Sequence, residues 1–314
     1  MKVFFFLLSF SLLTMTSCAR RDAVLDTHEV ARVLATTTII GDIVSRIAGD
    51  AVVLEVLLPY NADPHDYILR PADLATVSNA HLIFINGAGL EGQMESALRR
   101  AARQARVVSL DRNITPRFFD EMPSRDHVHS DSCEHGPMDP HFWTDPNMVM
   151  IWADTIAEEL SLLIPEAEKD FHRHATKLKK ELATLDKWIA DQVEIIDETQ
   201  RLLVTDHLSM GYFSDRYGFK QKGVIIRSFD SMAQPSAREI AQLVDVLRTH
   251  DIPAVFVGAS VNPRLAERIS QDTGKTIAIL NSGALTGPDG NAPDYFAYMK
   301  SNVEVLVAHL GHQE

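Results

Sequence analysis

The feature that most constrains the fold is an alternation of short apolar runs with helical periods, which occurs twice along the chain. The predicted strands of the first series are 30–36, 52–58, 82–86 and 107–110, with helices at 39–48, 72–79 and 92–104. Those of the second series are 202–205, 223–226, 254–257 and 276–280, with helices near 210–217, 236–249 and 263–272. Continuous apolar strands that alternate with helices predict mainly parallel sheets flanked by helices. We therefore expect an α/β protein with two lobes of duplicated architecture.

A long helical signal over residues 165–198 separates the two series. Its apolar side chains recur every three or four residues, as one stripe on a charged helix: Leu178, Leu182, Leu185, Ile189, Val193 and Ile196. At 1.5 Å per residue the segment would be roughly 50 Å long, enough to cross both lobes. We predict one rigid connecting helix between an N-terminal lobe, 31–164, and a C-terminal lobe, 199–314. A surface helix packed on one lobe is the alternative.

The first residues have the pattern of an export signal. Lys2 precedes an apolar run over residues 3–13, which is too short to span a membrane. Cys18 follows the small residue Ser17, which is typical of bacterial lipid attachment, although Met15 stands where leucine is usual. We predict a lipoprotein signal peptide over 1–17, lipidation of Cys18 and a polar tether over 18–30. The alternative is an ordinary signal cut near Ser17.

The charge balance excludes one class of partner and favours another. The chain has 30 Lys and Arg against 43 Asp and Glu, a net charge of −13. This is not the basic footprint of a nucleic-acid-binding protein, and an acidic surface attracts cations. With only two cysteines there is no disulfide framework.

Three histidines occupy equivalent places in the predicted lobes. His65 follows the run 52–58, His207 follows the run 202–205, and His141 lies between two Asp-Pro steps in DPHFWTDPN. In open α/β sheets ligands bind beyond the carboxyl ends of the strands, where such loops gather. Neutral imidazole is a good ligand for zinc, copper or nickel. The pattern indicates a metal site between the lobes, with solvated or capping histidines as the alternative.

Several motifs together resemble one known family. They are LLPYNADPHDYILRPADL, LIFINGAGLE, DPHFWTDP, VTDHLSMGYFSDRYGF and SVNPRLAERIS, in order from about residue 31 to the C terminus. In combination they are similar to the TroA-like zinc- and manganese-binding lipoproteins of ABC importers. The resemblance implies two α/β lobes, a rigid connecting helix and one metal buried between the lobes. It also implies an extracytoplasmic monomer, in the periplasm or at the cell surface, that delivers the metal to a membrane permease.

The resemblance places the first three metal ligands on His65, His141 and His207, but the fourth position departs from the family pattern. Where relatives often have Asp, this chain has Gly283 in NSGALTG. A water or Asp289 in TGPDGN could complete the shell. Resembling manganese carriers often have Glu in place of His207, and zinc accepts several imidazoles. We therefore expect Zn²⁺, with Mn²⁺ or Fe²⁺ as alternatives.

A histidine-rich segment precedes His141. It reads RDHVHSDSCEHGPMD and contains His127, His129, Cys133 and His135 among acidic residues. An auxiliary loop that captures metal is one interpretation, and a solvated loop of drifted composition is the other. The spacing fits no closed zinc-finger pattern.

An enzyme is the main rival from another class, because three histidines and a water also hold catalytic zinc. A zinc-dependent hydrolase would need a general base beside an open coordination position. Asp66, Asp139 and Asp206 lie near the histidines in sequence, but each could equally orient an imidazole. A surface adhesin is compatible with the sequence, which contains nothing that favours it. We expect binding without catalysis.

Overall fold

The computed structural model describes residues 30–119, 138–225 and 236–311 of the 314-residue chain. The signal peptide over 1–17, Cys18 and nearly all of the tether therefore lie outside the described residues. So do His127, His129, Cys133 and His135. The described part of the chain forms two lobes, each built on a four-stranded parallel sheet.

The first lobe carries the sheet order β2-β1-β3-β4, with all neighbours parallel. Its strands are β1 (Arg32–Ala35), β2 (Val53–Val56), β3 (Leu82–Ile85) and β4 (Arg106–Ser109). Its helices are α1 (Thr38–Ala48), α2 (Pro71–Asn79), α3 (Gly92–Ala101) and α4 (Pro146–Leu163). β3 reads Leu-Ile-Phe-Ile and is buried at every position, because helices cover both faces of the sheet.

The second lobe repeats this winding with the order β6-β5-β7-β8. Its strands are β5 (Leu202–Thr205), β6 (Lys220–Val224), β7 (Ala254–Gly258) and β8 (Thr276–Leu280). Its helices are α6 (Gly211–Tyr217), α7 (Ala237–Thr249), α8 (Pro263–Thr273) and α9 (Tyr295–Leu310). In both lobes the first strand pairs with the second and third, so the predicted α/β architecture and its duplication are confirmed.

The long helix α5 is shorter than the segment 165–198 predicted from the sequence. It spans Glu168–Val193, 26 residues, and is therefore about 40 Å long. Pro165 begins a separate 3₁₀ turn, Pro165–Ala167, before the helix. At the other end Asp197 accepts a hydrogen bond from the backbone N of Thr199 at 2.8 Å and so starts a new turn. Ile196 remains buried, but it lies beyond the helix.

Helix α5 packs against helices of both lobes. It lies along α4 and α1 of the first lobe and against α9 of the second. Its stripe of Leu178, Leu182, Leu185, Ile189 and Val193 is buried. These side chains belong to one continuous core cluster that also includes strand residues from each sheet. Because that core runs through α5 without interruption, the helix is fixed to both lobes.

Two elements of the second lobe, β6 and α9, were not predicted correctly from the sequence. β6 begins with Lys220-Gln221-Lys222, three residues earlier than predicted, since an edge strand needs no continuous apolar run. α9 was not predicted from the sequence, although it packs on β8 and α5 and its buried residues recur every three or four positions on one face. No helix among the described residues is long and apolar enough to cross a membrane.

Candidate metal centre

The three histidines predicted from the sequence come together between the lobes. His65 lies in the loop after β2, His141 in the loop before α4, and His207 in the loop after β5. One ring nitrogen from each lies within 4.8 Å of the other two. The Nε2 atoms of His65 and His141 are 3.1 Å apart. Among the described residues, no other group of three His, Cys, Asp or Glu side chains is close enough to hold a metal.

His141 is held by a buried carboxylate two residues before it. Asp139 Oδ1 accepts hydrogen bonds from His141 Nδ1 at 2.7 Å and from the His141 backbone N at 3.0 Å. Nδ1 therefore carries the proton, and Nε2 faces the other histidines with its lone pair available to a metal. Burial lowers the pKa of His141 although Asp139 acts to raise it. His141 is thus kept neutral, the form that binds metal.

His207 has a similar partner in the second lobe. Its Nδ1 lies 3.1 Å from Asp206 Oδ1, and Asp206 Oδ2 accepts a hydrogen bond from the backbone N of Gly258 at 3.0 Å. Burial acts to lower the pKa of His207, but the Asp206 carboxylate outweighs burial and the pKa is raised. Burial acts to raise the pKa of Asp206, but His207 and its hydrogen bonds lower it. This pair fixes the ring and favours its protonation when no metal is bound.

His65 is carried by a loop that contacts the opposite lobe. Asp63 Oδ1 accepts a hydrogen bond from the His65 backbone N at 2.9 Å, which closes a tight turn. Asp63 Oδ2 accepts one from Ser260 Oγ, beyond β7, at 3.3 Å. The backbone N of Asn61 donates to the carbonyl of Leu285 at 2.9 Å. The position of His65 therefore depends on contacts between the lobes.

The aromatic residue of the Asp-Pro turn, Trp143, makes hydrogen bonds to the second lobe. Its Nε1 donates to the carbonyl of Ser282 at 3.0 Å and to Tyr298 Oη at 3.1 Å. Tyr295 Oη donates to the Trp143 carbonyl at 2.7 Å. Trp143 thus ties the His141 turn to the second lobe. Neither tyrosine was predicted as a site residue, because the only signal of each in the sequence is its spacing on one face of α9.

A buried carboxyl group that the sequence analysis also missed supports the same turn. Glu91 accepts hydrogen bonds from Thr36 Oγ1 at 2.8 Å and from the backbone N of Asn86 at 2.7 Å. Asn86 Nδ2 in turn donates to the carbonyl of Pro140, next to His141, at 2.9 Å. Burial raises the pKa of Glu91 to about 7. A Glu at the start of a helix gave no sign in sequence that it would be enclosed.

The structure does not bring a carboxylate from residues 283–289 to the histidines. Gly283 has no side chain to offer, and Asp289 is exposed and outside the cluster. Asp289 lies in a turn closed on itself, in which Gly290 N donates to Gly287 O at 3.1 Å and Ala292 N donates to Thr286 Oγ1 at 2.9 Å. Asp289 is exposed in this turn, so its use as a fourth ligand would require the turn to move and stays a prediction.

Comparison with known proteins identifies the family of the chain. Residues 33–309 match the family described as ZnuA, zinc-uptake complex component A, periplasmic. The manganese-binding lipoprotein MntA of Halalkalibacterium halodurans is 30% identical, over 90% of this chain and 89% of the relative. The manganese ABC transporter substrate-binding lipoprotein PsaA of Streptococcus mitis is 29% identical, over 97% of each chain.

A solved structure gives the same result for the fold. The periplasmic zinc-binding protein TroA from Treponema pallidum superposes with a TM-score of 0.79 at 25% identity, over 90% of this chain and all of the other. The resemblance noted in the sequence is thereby confirmed. The chain belongs to the ZnuA family of periplasmic metal-binding proteins, the substrate-binding components of ABC transporters for metal ions.

Proposed function

We propose that this protein binds one divalent metal ion as cargo, through His65, His141 and His207, and delivers it to a membrane permease. The observation that carries this proposal is the meeting of three imidazoles from two lobes, with their ring nitrogens within 4.8 Å. His141 and His207 both have a carboxylate beside Nδ1, which leaves Nε2 to the metal. Metal-binding histidines typically have such a partner at the ring nitrogen that does not bind the metal.

Zinc is the metal that this donor set favours. The cluster within the described residues contains three imidazoles and no carboxylate. Zinc accepts four-coordinate sites rich in imidazole, whereas manganese prefers oxygen donors and higher coordination. A water molecule supplies the fourth ligand in this proposal, with Asp289 as the remaining protein candidate. Because relatives of this chain are named for manganese, for iron or for zinc, Mn²⁺ or Fe²⁺ is the competing assignment.

The site supports binding without catalysis. A zinc-dependent hydrolase needs a general base beside the open coordination position. Asp139 and Asp206 instead hydrogen-bond the histidine rings at Nδ1 and so position the ligands. Hydrolysis of activated esters or peptides by the zinc-loaded protein, lost in His141→Ala, would favour the enzyme.

The anchoring and domain assignments form part of the same proposal. Removal of residues 1–17 leaves Cys18 at the N terminus for lipid attachment, with 18–30 as the tether to a monomeric binding protein. Residues 31–164 and 199–314 form the lobes, and 165–198 connect them. The histidine-rich segment with His127, His129, Cys133 and His135 serves as an auxiliary capture loop. For the anchor, Cys18→Ala should release the protein from membranes.

For the capture loop, deletion of residues 126–135 should slow metal loading but leave the tight site intact.

Direct metal competition tests the proposal. The metal-free chain from residue 31 is titrated with zinc and manganese against a chromophoric chelator, and its metal content is measured by elemental analysis. We expect one tightly bound zinc per chain, lost in His65→Ala, His141→Ala and His207→Ala. His172→Ala, on the exposed face of α5, is the matched control and should bind normally. Tighter binding of manganese would overturn the choice of metal, and normal binding by the three variants would overturn the site.

A further inference from the structure

Gly283 of the second lobe packs against Pro64, in the loop that carries His65. Gly283 lies in the segment after β8, and Pro64 immediately precedes His65. A Cβ atom built on Gly283 would lie 2.8 Å from Pro64 Cγ and nearer still to Pro64 Cδ. Real Cβ atoms essentially never come within 3.0 Å of another heavy atom. The observed approach therefore requires a residue without a side chain at position 283.

The neighbouring residues of the loop also rest on the second lobe. Tyr60 packs on Gly287, where a Cβ would lie 3.3 Å from the Tyr60 ring. Asn61 N bonds the Leu285 carbonyl, and Asp63 bonds Ser260. Four of the five residues in the loop 60–64, all except Ala62, thus contact the second lobe. Because Asp63 also holds the His65 backbone, any displacement of this loop moves His65.

We propose that Gly283 is a positioning residue for the metal site, since its missing side chain lets Pro64 seat against the second lobe and brings His65 to His207. The inference rests on the proposed function, in which His65 is a ligand. A zinc–imidazole bond is about 2.0–2.1 Å long and tolerates deviations of only about 0.2 Å. A methyl group at position 283 would push the loop 60–64 away from the second lobe. His65 would then lie too far from the metal, which would be bound by His141, His207 and water.

The Pro64 ring also restricts what a longer side chain at position 283 could do. Such a side chain would begin inside the volume of the Pro64 ring. A carboxylate introduced there by Gly283→Asp would therefore displace the His65 loop before it could add a ligand. Gly283→Asp is expected to weaken zinc binding and to produce no tight manganese site.

A double-mutant cycle between positions 64 and 283 tests the inference. Gly283→Ala should weaken zinc affinity at least about tenfold and change the d–d absorption of bound Co²⁺ to that of a site with one imidazole fewer. In a Pro64→Ala background the ring atoms are gone, and the nearest remaining atom, Pro64 N, is 3.8 Å from the added Cβ. Pro64→Ala/Gly283→Ala should therefore match Pro64→Ala in zinc affinity and in its Co²⁺ spectrum.

Gly223→Ala provides the matched glycine control in the same lobe. A Cβ there would make ordinary contacts, the nearest at 3.6 Å to Val246, so zinc affinity should be unchanged. Wild-type affinity and Co²⁺ spectrum in Gly283→Ala would overturn the inference, as would an equal loss in the Pro64→Ala background. If Gly283→Ala does not fold, the comparison of the double variant with Pro64→Ala decides. Normal zinc binding by His65→Ala would instead refute the proposed function, so the two failures are distinguishable.

Discussion

The two carboxylates beside the histidines are the residues with the clearest expected effect on affinity. Asp139 and Asp206 hydrogen-bond His141 and His207 at Nδ1. Asp139→Asn and Asp206→Asn should each weaken zinc binding by about 10- to 100-fold, because the ring loses its orientation and basicity. Chelator competition measures the effect, and Asp191→Asn on the exposed face of α5 serves as the control. Unchanged affinity in both variants would show that the rings are held by other contacts.

The pH dependence of metal binding also belongs to single residues. Protons compete with metal for neutral imidazole, and Asp206 raises the pKa of His207 while burial lowers that of His141. His207 therefore protonates before His141 as pH falls. Because the pKa of His207 lies above the ordinary imidazole value of 6.5, zinc affinity should already decline as pH falls toward 6.5, by up to about tenfold per pH unit for each proton displaced.

The same titration of Asp206→Asn provides a check on this assignment. Loss of the carboxylate removes the main cause that raises the pKa of His207. The onset of the decline in affinity should move to lower pH, although affinity at pH 8 falls as well. A decline at the same pH in wild type and variant would assign the proton to another group.

The buried carboxyl group of Glu91 should make the unfolding free energy depend on pH. Its pKa is raised by burial from 4.5 to about 7 in the folded protein, so ionisation costs more in the folded than in the unfolded state. The stabilisation that comes from protonated Glu91 is fully present below about pH 4.5. It is lost as pH rises through about 7, and the unfolding free energy then falls by about 3 kcal/mol. Urea unfolding of metal-free wild type and Glu91→Gln from pH 4 to 8 should show wild type losing this amount relative to the variant. Parallel curves would mean that Glu91 does not titrate in this range.

At the scale of elements, the start of α4 has a defined energetic role. Asp145 Oδ1 accepts a hydrogen bond from the backbone N of Asn147 at 2.8 Å, and Pro146 occupies the first helical position. Asp145→Ala should reduce the free energy of unfolding by about 1 kcal/mol, because the N-cap is lost. Urea denaturation of the metal-free protein measures it, with Glu158→Ala, another exposed acidic residue of α4, as the control. An equal loss in the control would rule out a capping effect.

The elements also show what a sequence can and cannot predict here. β3 and β7 were predictable because both faces are covered, which demands continuous apolar runs. β6 was misplaced because its edge position tolerates lysines, and α5 was overextended because Ile196 is buried without being helical. His65, His141 and His207 could be predicted because ligands gather at the carboxyl ends of parallel strands. Two features of the site could not be predicted, because they depend on residues that are distant in sequence. One is the packing of Gly283 on Pro64, and the other is the support that Glu91 gives to the His141 turn through Asn86.

At the scale of the whole molecule, the connecting helix and the shared core limit motion between the lobes. α5 is a continuous helix of 26 residues packed on α1, α4 and α9, and one core cluster includes residues of both sheets. A large hinge rotation would have to break this core, so we expect metal release to be a local event. Displacement of the loop 60–64 from the second lobe is the movement that we expect to open the site.

Small-angle scattering of the metal-free and zinc-loaded protein tests this limit. We expect the radius of gyration to differ by less than about 1 Å between the two states, as for partners that bind without domain rearrangement. Metal should instead act locally, protecting the backbone amides of residues 60–66 from hydrogen exchange while leaving those of α5 unchanged. A contraction of several Å on zinc binding would contradict a rigid connection, because it would require α5 to bend or to separate from one lobe.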